Sequence, residues 1–284
     1  MNYQQIPPPD TLKNFIRYFF ILETEAIKDL TYTFMTVADG GPGLLFQPED
    51  QGSFYQNNKQ LPGLFLYGQA TTHVETSLKG KFSTIGIVFY PHVLKTVFGI
   101  DANELTDTCL DLGQEAQKQG YHLTERLSDC RSNNEKIEIL SSYLLFLAKK
   151  NSSLADSRME YALSRILQSK GNISLKELND KLCMSERNVE RRFKQYVGLS
   201  PKMFSRICRF QASLTQIRNN QYSRLSDIAY ENEYADQSHL IRAFKEFAGV
   251  SPNKYQKRAM NIMESIADLS VQDTAVRNSS ILYV

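Results

Sequence analysis

Apolar positions change their period partway along the chain. Within residues 30–90 they come in short runs of strand length. Residues 30–37 are rich in β-branched and aromatic side chains and stop at the breaker Asp39, Gly40, Gly41, Pro42 and Gly43. Residues 43–46, 64–67 and 85–90 are further runs, and Lys79, Gly80 and Lys81 predict a hairpin tip between 76–78 and 82–84. Helices are expected over 11–20 in front of this block and over 92–98 behind it. The pattern predicts a mostly antiparallel β domain, a sheet or small barrel, with flanking helices.

Later positions follow a helical period. Ile137, Leu140, Leu144 and Leu147 are spaced 3-4-3 within residues 134–150, the a/d spacing of a coiled coil over two heptads. Packing onto its own domain is the plainer expectation, and a self-association helix the sharper one. Polar residues 151–157 then suggest a linker.

One pattern next occurs twice within residues 173–256. Arg191, Phe193, Lys194, Gly198, Ser200 and Pro201 recur 51 residues later as Arg242, Phe244, Lys245, Gly249, Ser251 and Pro252. Six matched positions in register mark a duplicated supersecondary unit. Each copy reads as helix, turn, helix. Ser174 and Glu177 form a capping box ahead of Leu175, Leu178 and Leu182. Cys183 and Met184 make a turn, and Ser185 caps a second helix whose buried stripe is Val189, Phe193 and Val197, ending at Gly198. The second copy has Ile228 and Ala229 in its first helix, Asp236 as cap, and Leu240, Phe244 and Phe247 as stripe. Ser200 with Pro201 opens a long helix over about 201–219, whose Phe204, Ile207, Phe210, Leu214 and Ile217 pack between the units.

Charge sharpens this division. The chain has 284 residues and a net charge of +2 from 33 Lys and Arg against 31 Asp and Glu. Residues 157–258 hold 19 of the former and 10 of the latter, a net of +9, so the remainder stands at −7. One basic and one acidic half suggest a polyanion as partner of the C-terminal part alone.

Other chemistry is thin. Cys109, Cys130, Cys183 and Cys208 form no CxxC pair, and His73, His92, His122 and His239 have no ligand spacing, so reduced thiols and no metal or cofactor are expected. There is no nucleophile elbow, phosphate loop or HExxH. The glycines at 40–43 read as a tight turn, and Glu49, Asp50 and Glu75 are weak candidates for a site. Aromatics such as Phe34, Phe65, Tyr67 and Phe82 read first as core and second as a pocket lining. No apolar run approaches the roughly 18 residues of a membrane span. With no signal peptide at residues 1–10, a cytoplasmic protein is expected.

The faces opposite the two buried stripes carry the candidate chemistry. On the first helix these are Glu186, Arg187, Asn188, Glu190, Arg191 and Lys194; on the second, Gln237, Ser238, His239, Arg242 and Lys245. Arginine reads guanine bidentately and Gln or Asn reads adenine, whereas lysines at the far ends suit phosphates.

Residues 173–258 resemble the DNA-binding domain of AraC/XylS transcriptional regulators. Ile228, Ala229, Gln237, Ser238, His239, Arg242, Phe244, Lys245, Gly249, Ser251 and Pro252 carry that resemblance. It implies two helix-turn-helix units whose recognition helices enter successive major grooves about 34 Å apart. Carried over by position, base contacts fall on Arg187, Arg191, Gln237, Ser238, His239 and Arg242, and phosphate contacts on Ser185, Arg192, Lys194 and Lys245. Cys183, and Glu233 with Tyr234, depart from the turn glycines common in the family, which makes a strained turn or shifted second helix an expectation to test.

The N-terminal half more loosely resembles the sensor module ahead of this domain in many bacterial regulators, through residues 39–46, 67–69 and 88–91. The expected organisation is α+β in two domains: 1–150 for sensing or dimerisation, 151–157 a linker, 158–258 the double helix-turn-helix domain, and 259–284 a tail. The implied function is an effector-responsive, sequence-specific activator. Its partners would be double-stranded promoter DNA, RNA polymerase, a small-molecule effector in 1–150 and a second copy through 134–150, with no membrane. The alternatives are a DNA-targeted alkyl-transfer enzyme, which needs an activated cysteine, and a non-specific architectural protein.

Overall fold

The computed structural model describes residues 2–24, 31–48 and 51–257. Glu49, Asp50 and the tail at 259–284 lie outside them. In the N-terminal part, a six-stranded antiparallel sheet has the order β1-β2-β9-β4-β7-β10. Its strands are β1 (Asn2–Ile6), β2 (Ile16–Thr24), β4 (Gly43–Phe46), β7 (Leu64–Tyr67), β9 (Phe82–Phe89) and β10 (Cys109–Asp111). A second sheet, ordered β3-β8-β5-β6, contains β3 (Thr31–Thr36), β5 (Ser53–Gln56), β6 (Lys59–Gln60) and β8 (Val74–Lys79).

The large sheet is buried on both faces. Tyr18, Phe20, Leu22, Phe65 and Val88 meet Phe34, Phe54 and Leu78 of the second sheet. Phe19, Ile21, Leu44, Phe46, Ile85 and Ile87 point the other way, onto helices. Those helices are α1 (Val93–Thr96), α2 (Leu112–Lys118), α3 (Leu123–Ser128) and α4 (Asn133–Lys150).

Two expectations are corrected here. Residues 11–20 do not form a helix: 10–15 turn and β2 begins at Ile16. Leu12, Phe15, Ile16, Phe19 and Phe20 satisfy helical spacing, but burial of both strand faces erases the period-two signal. Gly80, with φ of 87°, does not join a hairpin either, because β8 and β9 belong to different sheets. The turn instead carries the chain across the sandwich. The stripe on α4 is committed to its own domain: Leu140, Leu144 and Leu147 are buried with Tyr143, and Ile137 packs against them.

The C-terminal part consists of α5 (Ser157–Gln168), α6 (Leu175–Leu182), α7 (Glu186–Val197), α8 (Pro201–Arg218), α9 (Leu225–Glu231) and α10 (Gln237–Ala248). Asp156 caps α5, a helix the repeat pattern did not reveal. Phe204, Ile207, Phe210, Leu214 and Ile217 of α8 are all buried. Phe204 meets Phe193 of α7 at 5.8 Å between rings, and Phe210 meets Phe244 of α10 at 5.0 Å. Each such side chain contributes about 1.5–3 kcal/mol on burial, so α8 is the shared spine of both units.

The two parts share packing. Val37 and Ala38, just after β3, join the core of the C-terminal helices. The Ala38 N–H donates to Phe247 O at 3.1 Å, and Gln211 Nε2 donates to Ala38 O at 2.6 Å.

Candidate nucleic-acid interface

The duplicated sequence folds into two matched helix-turn-helix units. α7 and α10 are each twelve residues long and lie 51 residues apart, but α6 and α9 begin 50 apart. From the start of its first helix to the start of its second, the second unit is therefore one residue longer. Cys183 and Glu233 occupy the left-handed position in each turn, with φ of 52° and 55°. The next amide in each case donates back five residues, Met184 to Asn179 O and Tyr234 to Ala229 O. That is the bonding of a Schellman end, built without glycine. Buried Tyr234 anchors the longer turn, so α10 keeps its place.

Side-chain caps fix where α6, α8 and α10 begin. Asp236 accepts from the His239 N–H at 2.7 Å, and Ser200 accepts from Met203 N–H at 3.2 Å. Ser174 accepts from Glu177 N–H at 3.3 Å. Ser185 has extended N-cap geometry but makes no side-chain cap bond, contrary to expectation, which leaves its exposed hydroxyl to face outward.

Both outer faces are open. Arg187, Glu190, Arg191 and Lys194 on α7 are exposed, as are Gln237, Ser238, Arg242 and Lys245 on α10. Arg191 is braced along its helix, with Nη2 on Asn188 Oδ1 at 3.1 Å and Nη1 on Gln195 Oε1 at 3.4 Å. Lys194 pairs with Glu190 at 2.9 Å, a surface pair that screening leaves weak and exchangeable for a phosphate. Arg187 and Arg242 make no ion pair with the described residues.

Two candidates have partners within the protein. Arg192 is tied to Asp156, the N-cap of α5, so its guanidinium holds α7 against the first helix of its domain. His239 is half-buried, with its Nδ1 accepting from Ala235 N–H at 3.4 Å and its ring edge-on to Tyr234 at 5.3 Å. Neither pairing could be read from repeat phase, because each partner lies outside the matched positions.

The far ends of the recognition helices meet the N-terminal part. On the α7 side, Gly198 O accepts from Thr106 Oγ1 at 2.8 Å, and Gln195 Nε2 donates to Asp101 Oδ2 at 3.2 Å. Tyr196 stacks on His92 at 6.1 Å and donates its hydroxyl to Glu160. On the α10 side, the bonds are Ala38 N–H to Phe247 O and His73 Nδ1 to Glu246 O at 3.4 Å. A helix leaves its last carbonyls unpaired, and here groups from the N-terminal part supply partners for both.

Cys208 and Cys109 are far from the activated state that alkyl transfer needs. Burial pushes Cys208 up to about 12, and burial with the neighbouring Asp111 raises Cys109.

Two helix-turn-helix units on one spine, each with an exposed basic recognition face, define a DNA-binding domain. Residues 178–258 match the family model described as a helix-turn-helix domain, and residues 4–111 match a domain of unknown function, DUF6597. An uncharacterized HTH-type transcriptional regulator of Haemophilus influenzae is 32% identical over 153 residues, covering 51% of this chain and 49% of the relative. The HTH-type transcriptional activator RhaS of Escherichia fergusonii is 26% identical over 126 residues, 42% of this chain and 45% of the relative. The chain thus spans about half the length of the curated relatives it matches. Among solved structures, unsaturated fatty acid-bound ToxT of Vibrio cholerae is 14% identical, with 84% of this chain and 94% of ToxT covered at a TM-score of 0.43. The C-terminal part is a helix-turn-helix domain of the AraC/XylS type.

Proposed function

We propose that the chain is a sequence-specific, effector-responsive transcription activator that sets α7 and α10 into successive major grooves of promoter DNA. The observation that carries this reading is the pair of open faces in matched phase, Arg187, Arg191 and Lys194 on one and Gln237, Ser238, Arg242 and Lys245 on the other. Arg187, Arg191, Gln237, Ser238 and Arg242 read base edges, with His239 beside them on the first turn of α10. Lys194, Lys245 and Ser185 meet phosphates, and Arg192 supports α7 from behind. RNA polymerase is the protein partner of an activator. Residues 1–150 receive the effector. Self-association through 134–150 would use exposed Leu145 and Phe146, since the heptad stripe is buried. Among the described residues no helix is long and apolar enough to cross a membrane, and the proposed site of action is the cytoplasm.

Selection of genomic fragments by the full chain at ~150 mM salt, where non-specific phosphate binding is weak, followed by footprinting, tests the reading. The expected winner has two half-sites about 10 bp apart. Equal recovery of all fragments would overturn it in favour of an architectural role.

A further inference from the structure

The sandwich between the two sheets is not filled to its end. Where β3 runs into the segment at 37–41, a cavity of about 120 Å³ opens between the sheets. Phe20, Leu45, Phe65 and Val74 form its body. A closed cavity of about 150 Å³ holds one benzene; this one is smaller but opens to solvent, so a single ring or a chain of about six carbons fits with its far end at the mouth.

Its polar lining is one-sided. Asp39, Tyr67 and Asp107 line the cavity, and among the described residues no Lys, Arg or His does. Asp107 is satisfied, accepting from Thr71 N–H at 2.7 Å and Thr71 Oγ1 at 2.6 Å. Asp39 is served less well. Its Oδ1 accepts from Gly41 N–H at 3.1 Å, and the nearest cation, Arg17 Nη1, stands 3.8 Å from Oδ2. Burial raises its affinity for a proton despite Arg17. A carboxyl desolvated in this way gains most from a cationic donor delivered into the cavity.

The walls lead directly to the recognition helices. Thr36, Val37, Asp39 and Gly41 form one wall, and Ala38 among them donates to Phe247 O of α10. Gly68 and Ala70 form another. Between them Gln69, whose Oε1 is buried without a partner, lies against Gly198 at the end of α7. His73, three residues beyond Ala70, reaches the end of α10. One short loop therefore touches both C-cap glycines of the duplicated units.

We propose that this cavity binds one small primary amine with a single-ring or six-carbon body, its ammonium on Asp39, and that the segments at 37–41 and 68–73 transmit its presence to the ends of both α7 and α10. The proposal rests on reading the N-terminal part as the effector-binding part, and is tested without DNA, so failure of the promoter reading leaves it standing.

Calorimetric titration of the full chain with benzylamine, benzyl alcohol and benzoate compares three head groups on one ring. Benzylamine is expected to bind one per chain, about ten-fold or more tighter than benzyl alcohol, with benzoate weakest. Asp39→Asn should erase the preference of amine over alcohol, and Val74→Phe, which fills the cavity from β8, should abolish binding of all three. Hydrogen exchange at 195–198 and 246–249 should slow by several-fold with benzylamine. Tightest binding of benzoate or benzyl alcohol would overturn the head-group assignment but keep the cavity as an effector site. Absence of binding by all three would overturn both, and binding with unchanged exchange would overturn the transmission.

Discussion

The two helix-turn-helix units have matching recognition helices but are held differently. The first is gripped along one side: Asp101 and Thr106 bond to its end, His92 stacks on it, and Arg192 anchors it to α5. Among the described residues, the second bonds to the N-terminal part at its last turn, through Ala38 and His73. The two helices thus share Arg191 with Arg242 and Lys194 with Lys245 on their open faces, whereas the surfaces behind them differ.

Alanine at the matched C-cap glycines should break this comparison most strongly. Gly198 has φ of 92°, and a Cβ there would stand 2.5 Å from Gln69 Oε1 and 3.1 Å from Ala102 O. Gly249 has φ of 69°, and its Cβ would meet only the His73 ring, at 2.8 Å, which can turn aside. Both substitutions carry the left-handed penalty of about 1–2 kcal/mol; only Gly198→Ala adds a clash with the buried Gln69 side chain and a tight contact with a backbone carbonyl. Denaturant unfolding should show Gly198→Ala costing about 2 kcal/mol or more and Gly249→Ala no more than about 2. Equal losses would mean that the docking behind α7 is not tighter than that behind α10.

Side chains on the open faces come next. Arg187→Ala or Arg191→Ala on the first unit, and Arg242→Ala on the second, should each cost roughly 1–3 kcal/mol on the selected operator and relax one base position. Lys194→Ala should weaken all sequences alike and reduce the salt slope by about 1. Arg192→Ala should lower thermal stability more than it lowers specificity, because its partner is Asp156. A loss of base discrimination from Arg192→Ala, with stability intact, would return it to the DNA-contacting set.

Much of the C-terminal domain was legible because its signals are local. The stripe Val189, Phe193 and Val197, the spine Phe204 to Ile217, and Asp236 as cap all depend on spacings within one or two helical turns. The N-terminal part failed where burial was two-sided, at β2, and where a turn links different sheets, at Gly80. The links between the parts were invisible. Ala38, Gln69 and His73 are single loop residues whose partners lie more than a hundred positions away, and nothing about them is periodic. Asp39 read only as a turn residue, since its burial depends on β2 and β7 closing around it.

Acidification should separate the two units by a smaller margin. His92 lies between Tyr90 and Tyr196, near Phe15, the Asn14 backbone and the Glu160 carboxylate. Burial lowers its pKa below 6.5, and Glu160 only partly offsets this. The unfolded or undocked state therefore binds the proton more readily. Stability is present above about pH 6.5 and is lost as pH falls toward the depressed value. Hydrogen exchange between pH 7.5 and 5.5, corrected for intrinsic rates, should show protection falling at 192–198 and holding at 244–248. His92→Phe should remove that difference. If it persists in the variant, the switch lies in another group.

The two turns give the smallest expected effect. Cys183 and Glu233 adopt a left-handed conformation that glycine adopts freely, yet both are exposed and neither side chain is needed to hold the turn. The bonds that close each turn are backbone ones, Cys183 N–H to Asp180 O and Glu233 N–H to Tyr230 O at 3.1 Å in both. Glycine would relieve a strain of about 1–2 kcal/mol while adding about 0.5–1 kcal/mol of unfolded-state entropy. Cys183→Gly and Glu233→Gly should each raise stability by roughly 0.5 kcal/mol, about 2–4 °C in Tm for a domain of this size. Operator affinity should not change in either variant, because Asp236 and buried Tyr234 set where α10 starts. Affinity lost only in Glu233→Gly would show that the extra residue of the second unit aims α10 through its strain, and the two units would then differ at the DNA as well as behind it.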